Sequence, residues 1–159
     1  TFPLPIRLRS RMGRGKVAGQ SVVLAKPQTY MNRSGAALRD LFAEEPLSDP
    51  SDLIVVHDDL DLPFGTLRIR AGGGHGGHNG VRSLIEELGT AAFCRVKCGV
   101  GRPPPGVEAA DYVLSPFAPE ELPALPDFIG IAADALETIL AHGPAEAMQR
   151  FHTQTQKEA

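Results

Sequence analysis

Six glycines fall within nine residues between Gly72 and Gly80, and this run most constrains what the chain can fold into. Such a run disfavours a regular helix or strand, because glycine loses more backbone entropy on folding than any other residue. It follows the alternating segment Thr66–Arg70 and precedes an amphipathic helical pattern that Gly89 ends. The sequence therefore predicts a glycine-rich loop at a helix N-terminus, where backbone N–H groups can bind a phosphate or an oxyanion.

The glycine-rich run matches neither of the two common phosphate-binding motifs. Its spacing differs from the dinucleotide fingerprint, and it lacks the Lys-Ser/Thr pair of a P-loop. His78 and Asn79 are the polar residues nearest the predicted helix, and the glycines around them would let a substrate approach the backbone closely. The alternative is a flexible loop in which Asn79 only caps the helix.

Short apolar strands alternate with helical patterns in the rest of the chain. The predicted strands are Ser21–Ala25, Leu53–His57, Thr66–Arg70 and Phe93–Val100. The predicted helices begin after a cap at Asn32, near Val81, at Pro119 and at Pro144. Residues 1–19 are predicted to form either an exposed strand or a frayed arm, and residues 153–159 a polar tail. This alternation, with no long linker, predicts one α/β domain over residues 1–159 with a largely parallel or mixed sheet.

The segment Leu53–His57 is continuously apolar until its His, which predicts a buried central strand. A polar cluster follows it, consisting of His57, Asp58, Asp59 and Asp61. One carboxylate there can orient a His and stabilise its charged form, as in hydrolytic triads. His and Asp are also metal ligands, so a metal hydrolase using His57, Asp58 and Asp61 is an alternative. A third interpretation is that these residues form only a solvated acidic loop.

A third polar cluster, Tyr30-Met31-Asn32, follows another predicted strand. The Asn32 amide can bind a carbonyl or a phosphate at the edge of the sheet, where α/β proteins place their sites. The alternative is that Asn32 serves only as a helix cap. Phosphate-binding candidates on or beside the later strands are Arg68, Arg70, Lys97 and Arg102.

Composition excludes several classes of protein. Apolar residues make up 42% of the chain, which argues against disorder. No apolar run approaches the roughly 18 residues of a membrane helix, and no stretch near Thr1 has the order of a signal peptide. Cys94 and Cys98 fall on one predicted strand, too far apart to form a disulfide, and this favours a reducing cytoplasm.

The net charge of −3 conceals blocks of one sign. Residues 1–39 carry eight Lys and Arg and no acid, and residues 66–102 carry six bases against two acids. Residues 40–61 and 103–149 each carry eight acids and no base. The basic blocks predict a surface suited to a nucleic acid, with the acidic block 103–149 turned away from it, and the alternative is ordinary surface charge.

Four blocks, in the same order and spacing, closely resemble the bacterial-type peptidyl-tRNA hydrolase family. They are Lys26–Gly35, His57–Pro63, Gly72–Gly80 and Gly99–Pro103. The resemblance implies a single α/β domain with a twisted, mostly parallel mixed sheet surrounded by helices. It also implies a cytoplasmic monomer that uses no metal or other cofactor. The reaction implied is hydrolysis of the ester between a peptide and the 3′ ribose of tRNA, which recycles tRNA from aborted translation.

The resemblance implies roles for individual residues. Tyr30 and Asn32 would contact the 3′ end of tRNA and the peptide, and Met31 would line the pocket. Asn79 would bind the substrate or the attacking water, and His78 would hold the substrate near the site.

Three further roles come from the same resemblance. Asp58 would orient and polarise the catalytic His, and Arg70 and Lys97 would lie on the surface that receives the tRNA phosphates. The implied catalytic set is therefore Asn32, Asp58, His78 and Asn79.

One motif of the family does not occur in residues 1–159. In the family the catalytic His follows the first strand and a Gly-Asn-Pro-Gly turn, within a Thr-Arg-His-Asn segment. We therefore expect the chain to be N-terminally incomplete, with the base that activates water lying upstream. The first strand is expected to be central in the sheet, so its absence would leave neighbouring strands without ladder partners.

A second function of the same fold is a non-catalytic one. The fold also serves as a splicing factor in plant chloroplasts, so a chain without the catalytic His would fit an RNA-binding role. The presence of Asn32, Asp58, His78 and Asn79 argues for the hydrolase instead.

Overall fold

The computed structural model describes residues 6–7, 10–28 and 30–158. Its strands are β1 (Ile6–Arg7), β2 (Ser10–Val17), β3 (Gln20–Pro27), β4 (Ile54–Asp59), β5 (Leu67–Arg70) and β6 (Cys94–Gly99). Its α-helices are α1 (Ser34–Glu44), α2 (Asn79–Leu88), α3 (Ala109–Val113), α4 (Leu125–His142) and α5 (Pro144–Glu158). The chain forms two compact units, one of Thr1–Leu53 with Ala71–Cys94 and one of Ile54–Arg70 with Arg95–Ala159.

The first unit contains an antiparallel sheet in the order β1-β2-β3. Strands β2 and β3 pair along their whole length, from Ser10 opposite Pro27 to Val17 opposite Gln20. The turn between them places Ala18 at φ 50° and Gly19 at φ 77°, as two-residue hairpin turns require. Residues 1–19 were predicted to form either an exposed strand or a frayed arm, and Ser10–Val17 form a strand. Residues 1–5 and 8–9 lie outside the described part of the chain.

Helix α1 begins later than predicted, because a short 3-10 helix, Met31–Arg33, precedes it. The Arg33 N–H donates to the Tyr30 carbonyl at 2.8 Å, and Ser34 Oγ donates to the Met31 carbonyl at 2.7 Å. These bonds tighten the chain into the 3-10 turn. The prediction that Asn32 caps α1 is wrong, since the capping position is occupied by Arg33 and Asn32 lies within the 3-10 helix.

Helix α2 confirms the helix predicted after the glycine-rich loop. It is capped at its N-terminus by His78, and it ends at Gly89, whose φ of 70° is left-handed. Helices α1 and α2 pack against each other within the first unit. The buried apolar side chains of these two helices are Ala37, Leu38, Leu41, Val81 and Leu84.

The second unit contains a sheet in the order β4-β6-β5. Strands β5 and β6 are antiparallel, from Leu67 opposite Cys98 to Arg70 opposite Arg95. Strands β4 and β6 are parallel, because hydrogen bonds join like ends: Cys94 N–H to the Leu53 carbonyl and Val100 N–H to the Asp59 carbonyl. The predicted α/β fold with a mixed sheet is confirmed. Among the described strands, β1 with β2, β2 with β3 and β5 with β6 are antiparallel pairs, and β4 with β6 is a parallel pair. The described strands are therefore less parallel than the predicted, mostly parallel sheet.

Among the described strands, β4 lies at the edge of this sheet and not at the central position predicted for it. Its Val56 side chain is 50% exposed. The central position belongs to β6, whose Val96 is fully buried. A continuous apolar run shows that a strand is hydrophobic, but it does not show which strand lies between two others.

The helices of the second unit also depart from their predicted bounds. Helix α4 begins at Leu125 rather than Pro119, because a turn and a short 3-10 helix, Leu122–Ala124, come first. Helix α5 packs against β5 and continues to Glu158, through the residues predicted as a polar tail. Gln, Lys and Glu are good helix formers, which explains the extension. Within residues 6–7, 10–28 and 30–158, no helix has the length and apolar character needed to cross a membrane.

Candidate functional site

The acidic cluster lies at the carboxyl end of β4 in the second unit. His57, Asp58 and Asp59 are half-buried, and Asp61 is exposed. Nδ1 of His57 lies 2.7 Å from the backbone carbonyl oxygen of Asp58. Because a carbonyl only accepts hydrogen bonds, Nδ1 of His57 is the donor and carries a proton.

Asp59 and Asp61 of this cluster lie beside cations of the same unit. Asp59 Oδ2 lies 3.9 Å from Lys97 Nζ, and Asp59 Oδ1 accepts a hydrogen bond from the Asp61 N–H at 2.8 Å. The Asp61 carboxylate pairs with the Arg102 guanidinium. Asp59 and Asp61 therefore connect this part of the chain to Lys97 and Arg102.

Asp58 borders the thiol of Cys98 on the neighbouring strand. Burial and the Asp58 carboxylate raise the pKa of Cys98 to about 11. Successive residues of a strand point to opposite faces, and Lys97 accordingly meets Asp59 while Cys98 meets Asp58. Asp59, which lies beside Lys97, and Asp58, to which the resemblance assigns a catalytic role, therefore lie on opposite faces of the sheet.

The loop after β4 is fixed to the end of β6 by backbone contacts. Val100 N–H donates to the Asp59 carbonyl, and Gly101 N–H donates to the Leu62 carbonyl at 2.9 Å. A Cβ on Gly99 would collide with the Pro63 carbonyl and would lie 2.9 Å from the Leu62 Cβ. Backbone hydrogen bonds and close packing at Gly99 therefore hold the loop that follows β4 against the end of β6.

The glycine-rich loop and the start of α2 lie in the first unit. Gly73, Gly76 and Gly77 have φ values of 125°, 58° and 85°, which L side chains rarely adopt. The His78 Nδ1 atom accepts a hydrogen bond from the Val81 N–H at 3.2 Å. A neutral His78 therefore carries its proton on Nε2. Asn79 is exposed beside it.

The Tyr30–Asn32 segment lies in the same unit and meets the start of α2. The Met31 sulfur occupies the place where a Cβ on Gly80 would stand. The exposed fractions of Tyr30 and Met31 are 84% and 56%, so both side chains are available to a ligand. The first unit thus brings together four of the predicted binding residues, which are Tyr30, Met31, His78 and Asn79.

The predicted phosphate-binding residues differ in their surroundings. Arg70 is exposed on β5, as a phosphate contact requires. Lys97 is only 19% exposed, and it lies beside Asp59. Sequence reasoning missed this pairing, because the parallel alignment of β4 and β6 that creates it is not visible in either segment alone.

The ligand set of the metal alternative does not assemble in the second unit. Among the described residues, Asp61 brings no carboxylate oxygen within 4.8 Å of ligand atoms from both His57 and Asp58. Its carboxylate is instead paired with Arg102. The set of His57, Asp58 and Asp61 is therefore not arranged to hold an ion.

Comparison with known proteins gives consistent results. The family model described as peptidyl-tRNA hydrolase matches residues 4–159. The peptidyl-tRNA hydrolase of Chloroflexus aurantiacus is 50% identical over 148 residues, covering 93% of this chain and 79% of that protein. The protein of the same name from Leifsonia xyli is 53% identical over 141 residues, covering 89% of this chain and 72% of its own length.

Solved structures agree with the sequence comparison. The crystal structure of peptidyl-tRNA hydrolase from Acinetobacter baumannii matches with a TM-score of 0.77 and 33% sequence identity, covering 91% of this chain and 72% of that one. The chain belongs to the peptidyl-tRNA hydrolase family, and the resemblance predicted from the four blocks is confirmed.

Proposed function

We propose that this protein hydrolyses the ester bond between the peptide and the 3′ ribose of tRNA in peptidyl-tRNA. The observation that carries the proposal is the family match over residues 4–159, with half of the residues identical to a protein named for this activity. The products are a free peptide and a tRNA that can be aminoacylated again.

Asp58 is the carboxylate that we assign to catalysis. It would accept a hydrogen bond from the imidazole of the catalytic His, fix the tautomer of that ring and stabilise its charged form. The different surroundings of Asp58 and Asp59 support this assignment, because Asp59 already lies beside Lys97. The imidazole in turn would accept a proton from the attacking water, which typically accelerates hydrolysis 10²–10⁴-fold.

We assign substrate binding to the residues on the first unit. The His78 Nε2–H and the Asn79 amide can donate hydrogen bonds to the ester or to the attacking water. Tyr30, Met31 and Asn32 would contact the 3′ end of tRNA and the peptide. The exposure of Tyr30 and Met31 supports this assignment.

Binding of the tRNA phosphates is assigned to Arg70 and Lys97. The exposure of Arg70 on the face of β5 supports its assignment. Lys97 would have to exchange its contact with Asp59 for a phosphate, so its contribution is expected to be the smaller of the two. We also propose that the protein acts as a monomer in the cytoplasm, which sedimentation analysis and cell fractionation would test.

The direct test is turnover of peptidyl-tRNA by the protein expressed from its complete reading frame. Release of free tRNA is measured with and without a metal chelator, together with the affinity for deacylated tRNA. We expect chelator-insensitive release of tRNA. Binding of tRNA without any turnover would contradict the proposal and favour a non-catalytic RNA-binding protein, whereas loss of activity with chelator would indicate a metal hydrolase.

A further inference from the structure

We propose that Ser83 is a positioning residue for the substrate-contacting segment Tyr30–Asn32. The inference rests on the proposed function, because it concerns the same binding residues. Ser83 lies on α2, three residues beyond Gly80, and it acts through the chain that precedes α1. Three contacts within the first unit carry the argument.

The first contact is a hydrogen bond between the two helices. The Gly35 N–H donates to Ser83 Oγ at 2.8 Å. Gly35 stands in the first turn of α1, where backbone N–H groups have no partner within the helix. Gly35 is buried, so without Ser83 this N–H would lose its partner away from water. Ser83 therefore fixes the beginning of α1.

The second contact is a close approach of the two backbones at the same place. A Cβ on Gly35 would lie 2.5 Å from the Ser83 carbonyl oxygen and 3.0 Å from the Glu87 Cβ. No side chain fits between the helices there. The glycine lets α1 and α2 come close enough for the hydrogen bond, and the hydrogen bond holds them at that distance.

The third contact lies one turn earlier on both elements. The Met31 sulfur packs where a Cβ on Gly80 would stand, and Ser34 Oγ donates to the Met31 carbonyl at 2.7 Å. The chain from Met31 to Gly35 is thus held against α2 at both ends, by Gly80 and by Ser83.

The two anchor points set the distance between two groups of binding residues. Tyr30 and Met31 precede α1, whereas His78 and Asn79 stand at the start of α2. A displacement of about 1 Å between groups that bind one substrate can cost as much as 100-fold in rate. Loss of the Ser83 hydroxyl would allow this displacement without removing any group that touches the substrate.

The test compares Ser83→Ala with a matched control, Arg39→Ala. Arg39 forms two hydrogen bonds to Glu87, at 2.8 and 2.7 Å, so the control also removes a contact between α1 and α2. That pair lies on the exposed surface, further along both helices from the binding residues. KM and kcat for peptidyl-tRNA are measured for the full-chain protein and both variants. Melting temperatures show that each variant is folded.

A second measurement does not depend on turnover. The dissociation constant is determined for a peptidyl-tRNA analogue in which an amide replaces the ester. If the unmodified protein binds the analogue without hydrolysing the ester substrate, the proposed function fails while the positioning role is still tested. Gly80→Ala provides a second variant, because its Cβ would collide with the Met31 sulfur at the other anchor and would lie 3.0 Å from Cε1 of His78, so it perturbs both groups of binding residues.

We expect Ser83→Ala and Gly80→Ala to raise KM and the dissociation constant about 10-fold, with kcat changed less than KM. Arg39→Ala should leave both constants at the level of the unmodified protein. Two results would overturn the proposal. One is an unchanged KM and dissociation constant in folded Ser83→Ala, and the other is an equal increase in Arg39→Ala.

Discussion

The backbone N–H of Ile69 donates a hydrogen bond to Nε2 of His152, 2.9 Å away, and so joins strand β5 to helix α5. Because Nε2 accepts, this bond requires a neutral imidazole with its proton on Nδ1. Burial and the Arg68 guanidinium lower the pKa of His152 below its ordinary value of 6.5, which favours that form of the ring.

The free energy of unfolding should therefore fall as the pH is lowered. The unfolded chain takes up a proton at His152 near pH 6.5, whereas the folded protein takes it up only at lower pH. The contribution of His152 is fully present above pH 6.5 and is lost as the pH falls through the folded-state pKa. Denaturant unfolding over a pH series measures the slope. His152→Gln keeps an acceptor oxygen without titrating and should show a shallower slope, and equal slopes would refute the prediction.

Replacement of Asp58 should abolish most of the catalysis while leaving the fold intact. Asp58→Asn keeps the size of the side chain but removes the charge that would stabilise an imidazolium, so we expect kcat to fall by about 10²-fold or more. Asp52→Asn, at an exposed position before β4, is the control and should retain full turnover. Initial rates of tRNA release measure both, and comparable rates in the two variants would remove Asp58 from the mechanism.

Arg70→Gln should weaken the binding of tRNA in a salt-dependent way. If Arg70 contacts a phosphate, its removal reduces the slope of log affinity against log salt by about 1. Arg82→Gln is the control, since Arg82 is also exposed but pairs with Glu86 along α2. Dissociation constants at several salt concentrations give the slopes. An unchanged slope in Arg70→Gln would place the phosphate path elsewhere.

Lys97→Met should lower the free energy of unfolding by about 1–3 kcal/mol, because it leaves the half-buried Asp59 carboxylate without its ammonium partner. Asp59→Asn in the same background should recover part of the loss, since the unpaired charge is then gone. Denaturant midpoints of the single and double variants measure this coupling. Purely additive effects would show that the two groups do not interact.

Gly99→Ala and Gly130→Ala should change stability in opposite directions. A methyl group on Gly99 meets the Pro63 carbonyl and the Leu62 side chain, so we expect a loss of about 1–3 kcal/mol. Gly130 lies inside α4 with no neighbouring atom within 4 Å of an added Cβ, so alanine should stabilise the helix by about 0.5–1 kcal/mol. Thermal unfolding of both variants checks the two signs, and stabilisation by Gly99→Ala would contradict the packing described for the acidic loop.

Local elements were predictable where one segment carried the whole signal. The glycine-rich loop, helix α2 with its end at Gly89, and the alternation of buried Leu67 and Ile69 on β5 all follow from their own residues. The family was also predictable from the sequence, because each of the four blocks carries its motif in its own residues.

Other features depend on residues that are distant in sequence. The edge position of β4 depends on which strand lies at the centre of the sheet, and β6 takes that position. The pairing of Lys97 with Asp59 depends on the parallel alignment of their strands. Arg33 rather than Asn32 precedes α1, because hydrogen bonds to the carbonyls of Tyr30 and Met31 form a 3-10 helix before the α-helix begins.

The environment of Cys98 has a practical consequence for work on this protein. With its pKa raised to about 11, Cys98 exists as thiolate in only about one molecule in ten thousand at neutral pH. Cys94, the other of the two cysteines, is buried. Thiol-directed dyes should therefore react slowly with the native protein. A cysteine introduced on the exposed surface could be labelled selectively, without first removing the two natural thiols.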